Sequence, residues 1–223
     1  LAAAFHAELC QIYTDVDGVY TADPRVVPNA KKLPEITFAD MLELASQSAQ
    51  VLHNRSVELA KKYHVNMEVV SSLKNIPGTK VKEVIKLEKT NIGGVAKMDN
   101  FARFSLVGLE DCPGVAFKVF SLLSRHNVNV DIILQSVGRG GSKDISFTCP
   151  LSSLDDARRV LEENKDMLEY DSIEVDDNVA KISLVGAGMM THVGVASDMF
   201  EALYDAGINI QMIATSEIRI SVL

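Results

Sequence analysis

An α/β layer followed by a duplicated βαββαβ unit is the architecture this 223-residue sequence predicts, and two patterns carry the prediction. The first is an internal repeat. Ser105-Leu106-Val107-Gly108 recurs as Ser183-Leu184-Val185-Gly186, and Gly114-Val115-Ala116 recurs as Gly194-Val195-Ala196. Phe120, Leu123, Asn129, Ile133 and Ser136 then recur as Phe200, Leu203, Asn209, Ile213 and Ser216. A spacing of about 80 residues is domain-sized, beyond the roughly 20–50 residues of a solenoid unit. The second pattern is the alternation of helical and strand periodicity over residues 1–80, the mark of a layered α/β fold.

In the leading part, Ala2–Glu8 reads as a helix and Leu9–Tyr13 as a strand that runs into Thr14-Asp15-Val16-Asp17-Gly18-Val19-Tyr20. Asp-Gly ahead of β-branched and aromatic residues signals a hairpin or turn, and Asp23-Pro24-Arg25 punctuates the chain again. Thr37, with the carboxylate of Asp40 three residues on, has the pattern of a capping box and opens a helix over Phe38–His53. Asn54-Arg55-Ser56 interrupts it, and a second helix covers Val57–Tyr63. Met67–Ser72 is a strand, Pro77-Gly78 a turn, and Lys80–Lys89 an irregular charged connector.

Each repeat copy opens with a short β-rich run ending at glycine, Phe104–Val107 and Ile182–Val185. A helix follows near Pro113 or Val193. Ala116, Val119, Phe120 and Leu123, like Ala196, Met199, Phe200 and Leu203, fall at i, i+3, i+4, i+7 and make one buried face per helix. Pro113 suits a first helical turn because its missing N–H has no partner there in any case. Asn127-Val128-Asn129 and Gly207-Ile208-Asn209 end the helices. Second strands are expected at Val130–Ser136 and Ile210–Ser216, and third strands at Asp144–Cys149 and Glu217–Leu223. Leu154–Glu163 and Ser172–Val175 add a helix and a fourth strand to the first copy, which completes the ferredoxin-like order; the second copy reaches Leu223 within its third strand.

Composition narrows the function. With 22 Lys+Arg against 30 Asp+Glu the net charge is −8, whereas phosphate-backbone binding needs a basic surplus on one face, so a nucleic-acid partner is not expected. No apolar run approaches the roughly 18 residues of a membrane span. Cys10, Cys112 and Cys149 are odd in number and show no metal-ligand spacing, which reads as reduced thiols in a cytoplasmic protein. Leu1-Ala2-Ala3-Ala4-Phe5-His6 lacks both a basic n-region and an initiator Met, so no signal peptide is read there and the protein is expected to start upstream.

Few motifs carry chemistry outright. Asp15, Asp17 and Asp23 fit either plain turns or a phosphate or nucleotide site; an EF-hand is excluded because Gly18 stands fourth, not sixth. Gly186-Ala187-Gly188 lacks the third glycine of a dinucleotide fingerprint. Gly138–Lys143 reads as a hairpin loop. His126 lies in the last turn of a helix, where a cation is favoured. His53 follows an apolar stripe and predicts packing. His6, His64 and His192 show no recognisable partners, and Met189-Met190 fits a core or a pocket lining. Asp111-Cys112-Pro113-Gly114 places a carboxylate at a helix N-terminus, whose free N–H groups favour an anion. That combination suits a free amino acid, or equally a plain N-cap.

These segments resemble the aspartate kinase family. The run Ile12-Tyr13-Thr14-Asp15-Val16-Asp17-Gly18-Val19-Tyr20-Thr21-Ala22-Asp23-Pro24-Arg25, continued by Met41–Ser46, Val51-Leu52-His53 and Ser71-Ser72 with Gly78-Thr79, is similar to the nucleotide-side part of its amino-acid-kinase domain. The repeat is similar to its tandem regulatory ACT domains, above all Thr215-Ser216-Glu217-Ile218-Arg219-Ile220. The resemblance implies a kinase portion over 1–83, a first ACT domain over 101–175 and a second over 90–100 plus 176–223. The first is inserted in the second, so Ile92–Lys97 should join the Val179–Leu223 sheet and not continue Phe104–Val107 as one strand. It further implies phosphoryl transfer from ATP, with Mg2+, to the β-carboxylate of L-aspartate, giving 4-phospho-L-aspartate for lysine, threonine and methionine synthesis.

Nucleotide contacts carry over to Thr14, Asp15, Tyr20, Arg25, Gln50 and Val51. The phosphate loop and the aspartate-binding residues fall before Leu1, so this chain is expected to be inactive alone, with no catalytic residue of its own. Ser48, Gln50 and Asn54 depart from the family's Gly, Lys and Pro; Gln50 removes a cation near ATP, a charge-assisted contact of about 1.5–3 kcal/mol. Effector contacts, for lysine and/or threonine, carry over to Asp111, Cys112, Pro113, Gly114, Val115 and Ala116, to Asn129, Val130, Asp131 and Gln135, and to Asn209, Ile210, Ser216 and Glu217. The first copy is expected to hold the better loop site, since the second has Met189–Val193 in place of the Asp-Cys-Pro loop. A homo-oligomer through the ACT domains is implied. The rival reading is a non-catalytic amino-acid-sensing regulatory subunit, against which residues 1–80 speak.

Overall fold

In the computed structural model, which describes residues 1–47, 51–83, 92–186, 189 and 194–223, the chain divides into two units, Leu1–Lys97 with Ile182–Leu223, and Met98–Lys181. In the first unit, β1 (Leu9–Thr14), β2 (Glu35–Thr37), β3 (Asn66–Ser71) and β4 (Thr79–Lys82) form a sheet of order β1-β3-β4-β2. β1 runs parallel to β3, β4 antiparallel to β3, and β2 parallel to β4. The expected connector at Lys80–Lys89 is therefore wrong for its described start: Thr79 and Val81 face the core while Lys80 is exposed, a period of two. Gly78 makes the preceding turn possible, because a Cβ there would lie 1.9 Å from the Val69 carbonyl oxygen.

The expected opening helix is also absent. Residues 2–6 form turns, ended by His6 at φ 51°. Helix α1 (Phe38–Ser46) begins where expected, with Thr37 as N-cap accepting the Asp40 N–H at 3.0 Å. It stops at the Gln47 cap, short of His53. Helix α2 (Asn54–Lys62) starts at Asn54, not Val57, because exposed His53 is its N-cap and takes the Arg55 N–H on Nδ1 at 3.2 Å. A helix start, not core packing, explains that histidine. Ile36, Phe38, Met41, Leu44, Leu52, Val57, Met67, Val69 and Val81 form the core between sheet and helices.

Ala96 and Val185 complete the same core. They lie on β5 (Gly94–Leu109) and β8 (Ser172–Val185), which the sequence reading had broken into two pieces each. Ile92–Lys97 was expected to be separate from Phe104–Val107, yet Gly94–Leu109 is one strand. No glycine or proline interrupts residues 98–103 or 175–182, and antiparallel pairing bonds bracket the strands: Gly93 N–H to Val185 O at 2.7 Å and Asp171 N–H to Val107 O at 2.9 Å. Gly94–Lys97 nonetheless belongs to the unit that holds Ile182–Leu223. That unit also contains α6 (Val195–Asp205), β9 (Ile213–Thr215) and β10 (Arg219–Val222), packed around Leu184, Val195, Met199, Ile220 and Val222. These elements meet the α1 end and the Thr21 loop through polar as well as apolar contacts. Ser183 Oγ lies 3.3 Å from Gln47 Oε1, Arg219 pairs with Glu43 at 3.2 Å, and the Val95 N–H donates to Thr21 O at 2.7 Å.

The second unit holds the rest of β5 and β8 with α3 (Val115–Arg125), β6 (Ile133–Val137), β7 (Lys143–Pro150), α4 (Leu154–Glu163) and the short α5 (Lys165–Leu168). Its strand order is β6-β7-β5-β8. Phe104 stacks on Phe147 at 5.3 Å and Phe120 meets Phe147 edge-on, within a core of Leu106, Val119, Leu123, Val160 and Leu161. The loop Gly138–Lys143 is a hairpin connection with one 3-10 turn, closed by Gly138 N–H to Ser142 O at 2.9 Å.

The two repeat copies share register as well as order. Ser105 meets Ser146 across β5 and β7 at 2.8 Å, and Ser183 meets Ser221 across β8 and β10 at 2.7 Å. Gly114 and Gly194, at φ 93° and 108°, are the N-caps of α3 and α6. Pro113 therefore precedes the cap and is not in the first turn. The second strands begin at Ile133 and Ile213, three residues later than expected; ahead of them the Asp131 and Gln211 N–H groups bond to Thr148 O and Leu223 O.

One buried hydroxyl organises the first unit's loops. Thr79, fully buried, takes the Val19 N–H at 2.9 Å and donates to Leu33 O at 2.6 Å. Thr79→Val strands both groups, and a loss of about 2–3 kcal/mol in urea unfolding is expected. Thr79→Ser should recover most of that loss.

Candidate functional site

The turn signals after β1 build one loop cluster. Thr14, the last residue of β1, is held from β3: Ser72 donates to its carbonyl through N–H at 2.8 Å and through Oγ at 2.9 Å. Its hydroxyl donates to exposed Asp15 at 3.1 Å. Ser71, buried at the end of β3, caps the following turn by accepting the N–H groups of Leu73 and Lys74, and Lys74 reaches Asp17 at 3.6 Å. Tyr20 donates its hydroxyl to Asp17 at 2.8 Å. Gly18 between them is at φ 146°, where a Cβ would fall 2.6 Å from Thr79 Oγ1; glycine is required by both conformation and space.

The charges follow from this geometry. The Tyr20 hydrogen bond, with help from Lys74, holds the Asp17 carboxyl below its usual value despite partial desolvation, and the same bond raises the Tyr20 phenol. Arg25 forks onto Asp23, Nε to Oδ1 at 3.0 Å and Nη2 to Oδ2 at 2.7 Å, while its backbone N–H meets Oδ1 at 2.9 Å. Asp23 is lowered by these bonds. Arg25 is raised by Asp23 first and, more weakly, by Asp15, which puts Asp15 within its field. Thr14, Asp15, Tyr20 and Arg25 thus share one loop cluster. Val51 packs partly buried against the core, and Ser48 and Gln50 lie outside the described residues. Among the described residues no three His, Cys, Asp or Glu gather as a metal cage.

The second candidate set is at the N-terminus of α3. Asp111 is not a cap: Gly114 is, with no side-chain bond, and Asp111 instead faces Lys143 of β7 at 3.5 Å. Cys112 is half-buried, its N–H turned back to Glu110 O at 2.9 Å. Pro113 and Gly114 are exposed, and a Cβ on Gly114 would meet nothing within 4 Å, so the loop is open to a ligand. Val115 is core and Ala116 half-buried. Asn129, Val130 and Asp131 follow α3, and Gln135 is an exposed residue of edge strand β6. Asn209 is exposed, Ile210 packs on the second copy's core, and Ser216 and Glu217 occupy the β9–β10 turn, closed by Ser216 N–H to Arg219 O at 2.8 Å. These four stand in the other unit. Residues 190–193, on which the comparison of the two loops turned, lie outside the described residues; Met189 packs on the core.

The sequence assigns no role to three contributors, although Thr79 lies in a segment that resembles the kinase family. Thr79 sets the Gly18 loop, Lys74 faces Asp17, and Lys181 pairs with Asp131. Lys181 had a readable signal, a lysine amid Val179-Ala180 and Ile182 in a buried run.

The amino acid kinase family matches residues 1–71, and the ACT domain matches 104–164 and 182–223. An aspartate kinase of Pseudomonas putida is 48% identical over the whole chain, and the chain spans 54% of that relative. The crystal structure of Clostridium acetobutylicum aspartate kinase superposes with TM-score 0.89 at 29% identity, over 99% of this chain and 52% of that one. Escherichia coli aspartokinase III, 30% identical, matches over 99% of this chain and 49% of its own in two states. With aspartate and ADP, the R-state, the TM-score is 0.82; with lysine and aspartate, the T-state, it is 0.78. The chain spans about half the length of the curated relatives it matches.

The Asp17–Tyr20 bond has a defined pH window. The lowered Asp17 contributes stability above the ordinary carboxyl value of about 3.9, lost as pH falls through its folded value; the raised Tyr20 contributes below about 10, lost as pH rises through its own. The pair is intact at neutral pH. Asp17→Asn should bring one tyrosine's ionisation down in an ultraviolet titration; an unchanged profile would count against the bond.

Proposed function

The chain belongs to the aspartate kinase family, and from that premise we propose that the intact protein transfers the γ-phosphoryl group of ATP to the β-carboxylate of L-aspartate under feedback control by lysine, threonine or both. Residues 1–83 are the nucleotide-side tail of the kinase domain, 101–175 the first ACT domain, and 90–100 with 176–223 the second. The observation that carries the reading is the sharing of one core by α1, from the kinase portion, and Ala96 and Val185, from the ACT strands. Catalytic and sensing halves that share a core respond to each other's packing, and coupling of about 1–3 kcal/mol is the usual scale.

Phosphoryl transfer rests on positioning and on stabilising developing charge. Thr14 and Asp15, tied to β3 by Ser72, hold the nucleoside. Tyr20, locked by Asp17, offers its ring as a fixed wall. Arg25 spends one edge of its guanidinium on Asp23 and presents the other to phosphate oxygens, a division the planar fork permits. Gln50 and Val51 complete the contact. Mg2+ bound to ATP would neutralise charge on the phosphates during transfer. The catalytic and aspartate-binding groups belong to the rest of the protein, so this chain alone is inactive.

On the regulatory side, the open Asp111–Ala116 loop takes the carboxylate of the effector at the α3 N-terminus, while Asp111, Asp131 and Gln135 take its amino or polar end. Asn209, Ile210, Ser216 and Glu217 of a partner chain close the site in a homo-oligomer. Lysine in the T-state structure of Escherichia coli aspartokinase III supports lysine as an effector.

Calorimetric titration of the intact protein with lysine and threonine, separately and together, tests the reading. Saturable binding weakened about tenfold or more by Asp111→Ala is expected. Absence of binding, with aspartate-dependent ATP turnover insensitive to both amino acids, would refute the regulatory part.

A further inference from the structure

Lys181 is 2% exposed, a depth at which a lysine needs a partner. Its ammonium meets Asp131 Oδ2 and lies 4.6 Å from the centre of the Phe101 ring. The pair is lopsided: the Asp131 side chain is 28% exposed, so solvent or a ligand reaches the acid but not the base. The backbone beneath the acid is pinned. The Asp131 N–H donates to Thr148 O at 3.0 Å, the Thr148 N–H returns to Ile132 O at 3.0 Å, and buried Thr148 Oγ1 takes the Ile132 N–H at 3.1 Å. What remains to be fixed is the carboxylate's own rotation, and Lys181 fixes it.

The second repeat copy has the same backbone frame with a neutral residue at the equivalent position. Gln211 N–H to Leu223 O and Leu223 N–H to Met212 O reproduce the Asp131–Thr148 bonds, so Gln211 is the counterpart of Asp131 and carries no charge. A buried ion pair seldom stabilises a fold more than well-packed apolar side chains. Its presence at one of two equivalent positions calls for a role other than folding.

We propose that Lys181 is the positioning residue of the first copy's effector site: it clamps Oδ2 of Asp131 from below, so that Oδ1 is presented in one orientation to the ammonium of a bound amino acid. The inference rests on the effector reading above. Preorganising one acceptor oxygen saves the ligand the cost of ordering it, and the cation beneath spares the empty site an isolated carboxylate.

The test is calorimetric titration of the intact protein with L-lysine and L-threonine in five forms: wild type, Lys181→Met, Lys181→Arg, Asp131→Asn and the double variant Lys181→Met/Asp131→Asn. Lys181→Met should weaken binding about tenfold, the loss of one charge-assisted contact, and Lys181→Arg should recover part of it. In the Asp131→Asn background Lys181→Met should cost nothing further, because the lysine acts only through that acid. If Lys181→Met alone fails to fold, Lys181→Gln takes its place in the same comparison. Wild-type affinity in the lysine variants, or an equal loss with and without Asp131, overturns the inference while leaving the effector reading intact. Wild-type affinity in Asp131→Asn overturns that reading, and this inference with it.

Discussion

The core of the α/β layer is closed by side chains from distant sequence. Val185, fully buried, sits in one cluster with Met41 and Leu44 of α1, and Ala96 joins them from β5. Burying a valine is worth about 1.5–3 kcal/mol, and the exposed alternative would leave the inner face of α1 in water. The polar contacts around this seam add register. Ser183 reaches Gln47, itself 2% exposed, across 136 positions of chain. Arg219 reaches Glu43 while its Nε is buried with no bond, so the pair is worth more as an alignment device than as a source of stability. Pairings of such separation raise the contact order and slow folding.

Thr79 plays the matching part on β4. One hydroxyl on β4 binds the Val19 backbone and the Leu33 carbonyl, and the space it occupies dictates glycine at position 18. The loop with Asp15, Asp17 and Tyr20 is thereby anchored to a strand and not left to its own turn chemistry. Asp17 then orders the loop from within, through Tyr20 and Lys74. Groups placed on an anchored loop lose little entropy when a ligand arrives.

Much of this was legible in the amino-acid order, for identifiable reasons. Periodicity located α3, α4 and α6, since Val119 and Leu123, or Ala157, Val160 and Leu161, bury one face. The Thr37 cap was readable because its chemistry is local. Four features were not. The continuity of β5 and β8 depends on each strand pairing with the other, which no short window contains. β4 was hidden by its lysines, which alternate with buried Thr79 and Val81. The opening run Ala2–Glu8 has helical residues but no packed face to hold a helix of that length, and a left-handed His6 ends it. His53 was taken for packing because a cap and an apolar neighbour look alike in sequence. At the candidate sites, the residues named by resemblance fell on coherent loops, whereas Lys181 and Thr79, which act from behind, became visible only once strands were placed side by side.

The paired serines Ser105–Ser146 and Ser183–Ser221 bear on the chain's history. A strand cannot slip by one residue without turning its buried face outward, so after an ancestral unit was copied its ladders had no gradual route to a new pairing. Where the first copy has Asp131 the second has Gln211, yet both backbones make the same bond to the neighbouring strand. The hydroxyl pairs therefore match the two copies residue by residue, Ser105 with Ser183 and Ser146 with Ser221, so side chains can differ between the copies while the ladders keep one alignment.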